Sequence, residues 1–172
     1  MENILIQSQE IQKKVLDITK QFNALYNEQN EQQVLFVPIL QGATTFFQDI
    51  CRGITFNPYI DYVGVSSYKG ERQGEFHLYK MVDPSLIRGR VIWLFDDIAD
   101  SGKTLDFLAQ MLMQYGAKEV KTCVFLKKSK CPYPVDLHAF DMGNEWVWGY
   151  GMDGPNGRGR ALPMVLYKPL QD

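Results

Sequence analysis

A chain of 172 residues is about one domain long, and with 45% hydrophobic and 22% charged residues nothing in its composition suggests disorder. A net charge of −2 exerts no overall pull on nucleic acid, so no nucleic-acid partner is expected. Cys51, Cys123 and Cys131 are odd in number and lack CxxC spacing, so neither a disulfide framework nor a structural zinc site is indicated. The opening MENILIQSQEIQKK reads as neither a signal peptide nor a membrane span; no membrane partner and a cytoplasmic location are expected.

Ile11, Val15, Ile18, Phe22 and Leu25 fall on one helical face, which predicts a helix over Ser8 to Asn27 with Ser8 as its N-cap. Val34 to Leu40 is a short apolar run rich in branched residues. It predicts a buried strand, followed by a tight turn at Gln41-Gly42 and a helix over Ala43 to Ile50. Tyr59 to Tyr68 and Glu75 to Met81 are strand-like runs flanking a charged, glycine-bearing loop, Lys69 to Gly74. The strand-turn-helix order then repeats, with a buried strand at Arg90 to Phe95, a polar turn at Asp96 to Ser101 and a helix from Gly102 to Tyr115. Val120 to Leu126 is a further buried strand, and shorter ones are expected at Val135 to Phe140, Trp146 to Tyr150 and Pro163 to Tyr167. Apolar strands alternating with helices indicate an α/β fold whose parallel sheet is covered on both faces. No linker divides the chain, so residues 1–172 are read as one domain.

The most informative stretch is Val91 to Leu105, VIWLFDDIADSGKTL: an apolar strand, two adjacent acids, a third acid, then Ser-Gly-Lys-Thr opening a helix. Ligands of open α/β sheets sit at the carboxyl ends of the strands, where the first turn of the next helix leaves backbone N–H groups unpaired. Asp100, Ser101, Gly102, Lys103, Thr104 and Leu105 can therefore wrap a phosphomonoester. Asp96 and Asp97, just before this cradle, suit a pair of sugar hydroxyls or a hydrated Mg²⁺. A P-loop would need a glycine five residues before Gly102, where Asp97 stands, so an ATPase is disfavoured.

This stretch resembles the phosphoribosyl pyrophosphate (PRPP) signature of type I phosphoribosyltransferases, and the resemblance to their hypoxanthine-guanine branch extends over nearly the whole chain. It implies a central parallel sheet flanked by helices, with a core over about residues 30–130 and a small hood made by about 1–30 and 132–172. By the same resemblance, Leu40, Gln41 and Gly42 form the loop that grips pyrophosphate, often through a non-proline cis peptide. The family usually has lysine or arginine where this chain has Gln41. Ser67 and Tyr68 look like part of a closing lid that excludes water. Trp146 takes the place of the ring that stacks on the base, Val147 meets the base edge through its backbone, and Asp153 helps hold a second Mg²⁺ on pyrophosphate. Arg160, or Arg158 in its stead, is matched to an arginine that contacts pyrophosphate. The lysine that family members place beside an aspartate, against the 6-oxo group, is missing from Pro134-Val135-Asp136. Lys127, or failing it Lys128, is expected to supply that cation.

The implied reaction is transfer of a 5-phosphoribosyl group from PRPP to a 6-oxopurine with Mg²⁺, Asp100 accepting the N7 proton as general base. The alternative is a PRPP-sensing regulator, which would need no base site and would show a basic surface or helix-turn-helix for nucleic acid. Family members commonly associate, so a homodimer or homotetramer is expected.

Overall fold

A computed structural model describes residues 3–67 and 76–168. In chain order its principal elements are β1 (Asn3–Ile6), α1 (Ser8–Leu25), β2 (Val34–Leu40), α2 (Thr44–Cys51), β3 (Tyr59–Ile60), β4 (Val63–Ser67) and β5 (Phe76–Lys80). There follow α3 (Pro84–Ile87), β6 (Val91–Ala99), α4 (Lys103–Gln114), β7 (Glu119–Lys128), β8 (Leu137–Met142), β9 (Trp146–Trp148) and β10 (Val165–Lys168). The large sheet runs β5-β4-β2-β6-β7-β8, with β3 also pairing with β2. Its pairs are parallel except β4 with β5, as buried strand-helix-strand units require.

Both faces of this sheet are covered, and successive residues of β2 divide between them. Val34 and Phe36 join Phe22 of α1, Phe47 of α2, Phe95 and Phe125 on one face. Leu35, Val37 and Ile39 join Leu94 and, from α4, Leu105, Leu108 and Leu112 on the other. Burying each such side chain contributes about 1.5–3 kcal/mol, so the apolar strands can form only as a two-sided core. Phe36 is the hub of the first face, with ring centroids 5.0 Å from Phe95, 5.1 Å from Phe22 and 5.9 Å from Phe56.

Several sequence expectations are corrected. The N-cap of α1 is Gln7 rather than Ser8: the Gln7 backbone N–H donates to Glu10 Oε2 at 2.9 Å, so the capping residue lies one position earlier. Strand β6 does not stop at Phe95. It runs through the acids to Ala99, because β7 continues to pair alongside, matching Asp96 with Val124 and Ile98 with Leu126. The segments expected to form the hood divide between the two sheets. Strand β8 lies in the large sheet, parallel to β7, and α1 packs on the core. What remains is a three-stranded antiparallel sheet, β1-β10-β9, which ties the two ends of the described chain together. Strand β1 and the single turn α3 had no counterpart in the sequence reading.

Candidate active site

The carboxyl ends of the parallel strands β2, β4 and β6 converge on a cavity of about 590 Å³, whose walls include Leu40, Gln41 and Gly42, Val65 and Ser66, and Asp96 to Ile98. That volume suits a small-molecule ligand. Thr104 at the start of α4 and Phe76 of β5 also line it, and Asp153 and Arg160 reach it from the C-terminal segment. Thus four stretches far apart in sequence meet where the fold class places ligands.

The loop after β2 and the acids of β6 are in intimate contact. The Leu40-Gln41 peptide is cis. A Cβ built on Gly42 would lie 1.7 Å from Asp97 Oδ2, so only glycine lets the loop pass the carboxylate. Asp96 Oδ1 accepts the N–H of Asp97 at 2.9 Å, and Asp97 Oδ1 accepts that of Ile98 at 2.8 Å. Burial pushes the Asp96 carboxyl well above the usual carboxylate range, and the neighbouring Asp97 charge adds to this. Asp97 is raised as well, again chiefly by burial.

Among the described residues that line the cavity, Arg160 is the one cation. It donates to Gly151 O at 2.7 Å and stands 3.3 Å from Asp153 Oδ1. Arg158 is exposed and does not line the cavity, so of the two candidate arginines only Arg160 is brought to the site.

Helix α4 opens on a glycine. Gly102 is its N-cap at φ +75, a left-handed conformation, and a Cβ there would meet Tyr133 Cβ at 2.2 Å. The helical ladder opens with Asp106 N–H to Gly102 O at 2.9 Å, which leaves the N–H groups of the first turn for a ligand. Ser101 and Lys103 are exposed beside them, whereas the Leu105 side chain is buried in the core and has only its backbone to offer. Asp100 is 70% exposed and forms an ion pair with Lys128, Nζ to Oδ2 at 3.0 Å. Among the described residues no ion pair involves Lys127, which lies in register with Ala99 and Asp141. Asp136 serves the framework: its carboxylate accepts the Thr122 N–H at 2.8 Å and hydroxyl at 3.1 Å.

Trp146 is 46% exposed at the start of β9, against Trp148 at 5.4 Å between centroids, and Val147 is buried. Neither Trp146 nor Val147 lines the cavity itself. Ser67 ends β4; Tyr68 and the Lys69 to Gly74 loop lie outside the described residues. Val65 belongs to the stretch read as a lid, whereas Phe76 and Ile98 are wall residues that sequence reasoning missed, one read only as part of a strand-like run and the other as part of the polar turn after Phe95.

The donor set suits a hard divalent cation, since it offers oxygen ligands alone from Asp96, Asp97 and Asp153. No three of the described acidic, histidine or cysteine residues converge into a ready-made metal cage. An ion held by one or two carboxylates and completed by substrate oxygens is the arrangement these residues fit, which is how Mg²⁺ usually binds.

The chain belongs to the phosphoribosyltransferase family: the phosphoribosyl transferase domain matches residues 5–154. Within that family it is 33% identical to the hypoxanthine-guanine phosphoribosyltransferase of Bacillus subtilis, over 98% of this chain and 94% of that one. It is 31% identical to the enzyme of the same name from Aquifex aeolicus, covering 94% of this chain and 92% of the relative. The bifunctional protein TilS/HprT of Listeria innocua is 33% identical over 98% of this chain, which spans only 26% of that longer protein. Among solved structures, a hypoxanthine-guanine phosphoribosyltransferase of Bacillus anthracis with a HEPES molecule in its active site superposes with a TM-score of 0.86. It is 28% identical and covers 98% of this chain and 99% of that one.

Proposed function

We propose that this chain is a purine-salvage enzyme that transfers the 5-phosphoribosyl group of PRPP to a 6-oxopurine, hypoxanthine or guanine, yielding the nucleoside 5′-monophosphate and pyrophosphate. The observation that carries this reading is the meeting of the Asp96-Asp97 pair, the Leu40-Gln41-Gly42 loop, Thr104 and Arg160 around one cavity. Relatives named for this activity are alike over nearly the full chain.

In this reading the amides and hydroxyls of Asp100 to Leu105 hold the 5′-phosphate at the positive end of α4. Asp96 and Asp97 hold the ribose hydroxyls, and the Leu40-Gln41-Gly42 backbone with Arg160 holds pyrophosphate. Trp146 stacks on the base, the Val147 backbone meets its edge, and Ser67 and Tyr68 close over the reacting centre. The 6-oxo group is met by a cation from the Lys127-Lys128 pair. As the purine nitrogen attacks C1 of the ribose and the bond to pyrophosphate breaks, Asp100 takes the proton from N7. Such positioned proton transfer contributes about 10²–10⁴-fold. Asp96 and Asp97 would hold Mg²⁺ together with substrate oxygens, and Asp153 would help hold a second Mg²⁺ on pyrophosphate; when bound, these ions would supply Lewis-acid neutralisation of the leaving group.

Among the described residues no helix is long and apolar enough to cross a membrane. Burial pushes the Cys51 thiol up to about 11 and raises Cys123 too, which disfavours their thiolate forms; a cytoplasmic location belongs to the same reading. Association as a homodimer or homotetramer belongs to the same reading and is checked by light scattering. The activity is tested by offering hypoxanthine, guanine, xanthine and adenine separately with PRPP and Mg²⁺ and identifying the products chromatographically. Monophosphates of the 6-oxopurines are expected; conversion of adenine alone, or of none, would overturn the proposal.

A further inference from the structure

Tyr150 stands in a backbone conformation that its residue type rarely adopts. Its φ is +48, between Gly149 at +99 and Gly151 at +96, and a bulky side chain persists there only where its surroundings over-determine it. The side chain is buried, with its ring centroid 4.7 Å from that of Phe125, and its hydroxyl donates to Asp49 Oδ2 of α2 at 2.7 Å. Burial, and then the hydrogen bond and charge of Asp49, raise that hydroxyl above the usual phenol range, so it stays protonated and a donor. A phenylalanine ring would fill the same space, so the bond to α2 is what the tyrosine adds.

The turn that Tyr150 anchors joins two parts of the cavity wall. On one side Gly151 is pressed against the loop after β2: a Cβ built on it would lie 2.5 Å from Gly42 O and 2.9 Å from Thr45 Oγ1 of α2. On the other, the Gly151 N–H donates to Arg160 O at 2.9 Å, Arg160 Nη1 donates to Gly151 O at 2.7 Å, and Arg160 Nη2 stands 3.3 Å from Asp153 Oδ1. The guanidinium is thus seated on the residue that follows Tyr150, while the helix that starts beside Gly42 carries the acid that Tyr150 grips. We infer that the Tyr150-Asp49 hydrogen bond is a positioning contact that holds Arg160 and Asp153 in register with the Leu40-Gln41-Gly42 loop, so that the two halves of the pyrophosphate subsite face each other before substrate arrives. This rests on the function proposed above. Neither Tyr150 nor Asp49 lines that cavity, so both act through Arg160 and Asp153.

The test is steady-state kinetics and equilibrium binding with Mg²⁺ on the full chain and on Tyr150→Phe, Asp49→Ala, Asp49→Asn and the Tyr150→Phe/Asp49→Ala double variant. Losing a group that orients a ligand-holding side chain costs about 10- to 100-fold, so Tyr150→Phe is expected to raise KM for PRPP and the inhibition constant of pyrophosphate by about 10-fold. KM for hypoxanthine and the affinity for inosine 5′-monophosphate should stay within about two-fold. Asp49→Ala should reproduce this pattern, and the double variant should be no worse than either single one, because both remove the same bond. Asp49→Asn keeps an acceptor for the hydroxyl and should retain most of the pyrophosphate affinity. The inference is overturned if Tyr150→Phe lowers Tm but leaves the PRPP and pyrophosphate constants unchanged, since the bond would then serve stability alone. It is equally overturned if pyrophosphate and the monophosphate weaken alike, or if the two single losses add. Failure of the underlying function reads differently, because the unsubstituted chain would then make no nucleotide.

Discussion

Gly42→Ala puts the packing of the Leu40-Gln41-Gly42 loop against the acids of β6 to the test. The added methyl would stand 1.7 Å from Asp97 Oδ2 and 2.5 Å from its Cγ, far inside any real contact, so the carboxylate has to retreat by more than an ångström. It cannot do so freely, because Oδ1 holds the Ile98 N–H at 2.8 Å. Overpacking of this kind costs about 1–3 kcal/mol, which for a domain of this size lowers Tm by roughly 2–12 °C. Catalysis should suffer more, since displacing an active-site group by about 1 Å can cost 10²-fold. Calorimetric melts and PRPP kinetics measure the two effects, and the decisive comparison repeats Gly42→Ala in an Asp97→Ala background. With the carboxylate gone, the stability cost should shrink to about 0.5 kcal/mol or less. An equal cost in both backgrounds would refute the claim that the glycine exists to admit Asp97.

Asp100→Asn keeps the shape of the side chain and deletes proton acceptance, so turnover should drop by about 10²-fold or more while PRPP affinity measured by calorimetry largely survives. Turnover within a few-fold of the parent would reduce Asp100 to a structural acid. Asp96 and Asp97 also have a stability signature in the unliganded protein. Burial, with mutual repulsion at Asp96, raises both carboxyls in the folded state, so the stability tied to their protonation is present below the ordinary carboxylate range and is lost as pH rises through the raised values. Asp96→Asn should therefore raise Tm at pH 8, with a gain that shrinks toward pH 4; a gain independent of pH would contradict this. Replacing both acids with Asn should weaken PRPP binding in Mg²⁺ and barely change it in EDTA. Equal losses with and without metal would sever the link to Mg²⁺.

What the sequence made legible follows from how local each signal is. The apolar run of Val34–Leu40 was read with the bounds the fold gives it, because a strand buried on both faces has no polar residue to blur its ends. The end of β6 was misplaced, because its last residues include acids, and acids ordinarily mark a turn; pairing with β7 overrides that preference. Strand β1 escaped notice because its partner, β10, lies at the other end of the chain, and four residues carry too little pattern alone. That Asp96, Asp97 and Thr104 come together at the end of the strand and the start of the helix was readable, because the strand-turn-helix order that places them is local. The choice of Arg160 over Arg158 was not readable, because it depends on a hydrogen bond to Gly151 O across a turn. Nor was the place of Lys128, which only the alternation of β7 against Asp100 decides. The role of Asp136 as a brace for Thr122 was equally hidden, since the two are joined only by the parallel pairing of β7 with β8.

Following pyrophosphate and nucleoside monophosphate together, with purified protein, PRPP, Mg²⁺ and hypoxanthine, tests the central claim most directly. The two products should appear in equal amounts, and neither should form when hypoxanthine is left out. Tight PRPP binding without turnover would point instead to a PRPP-sensing regulator, and pyrophosphate released without nucleotide would mean that the base site assigned here does not exist.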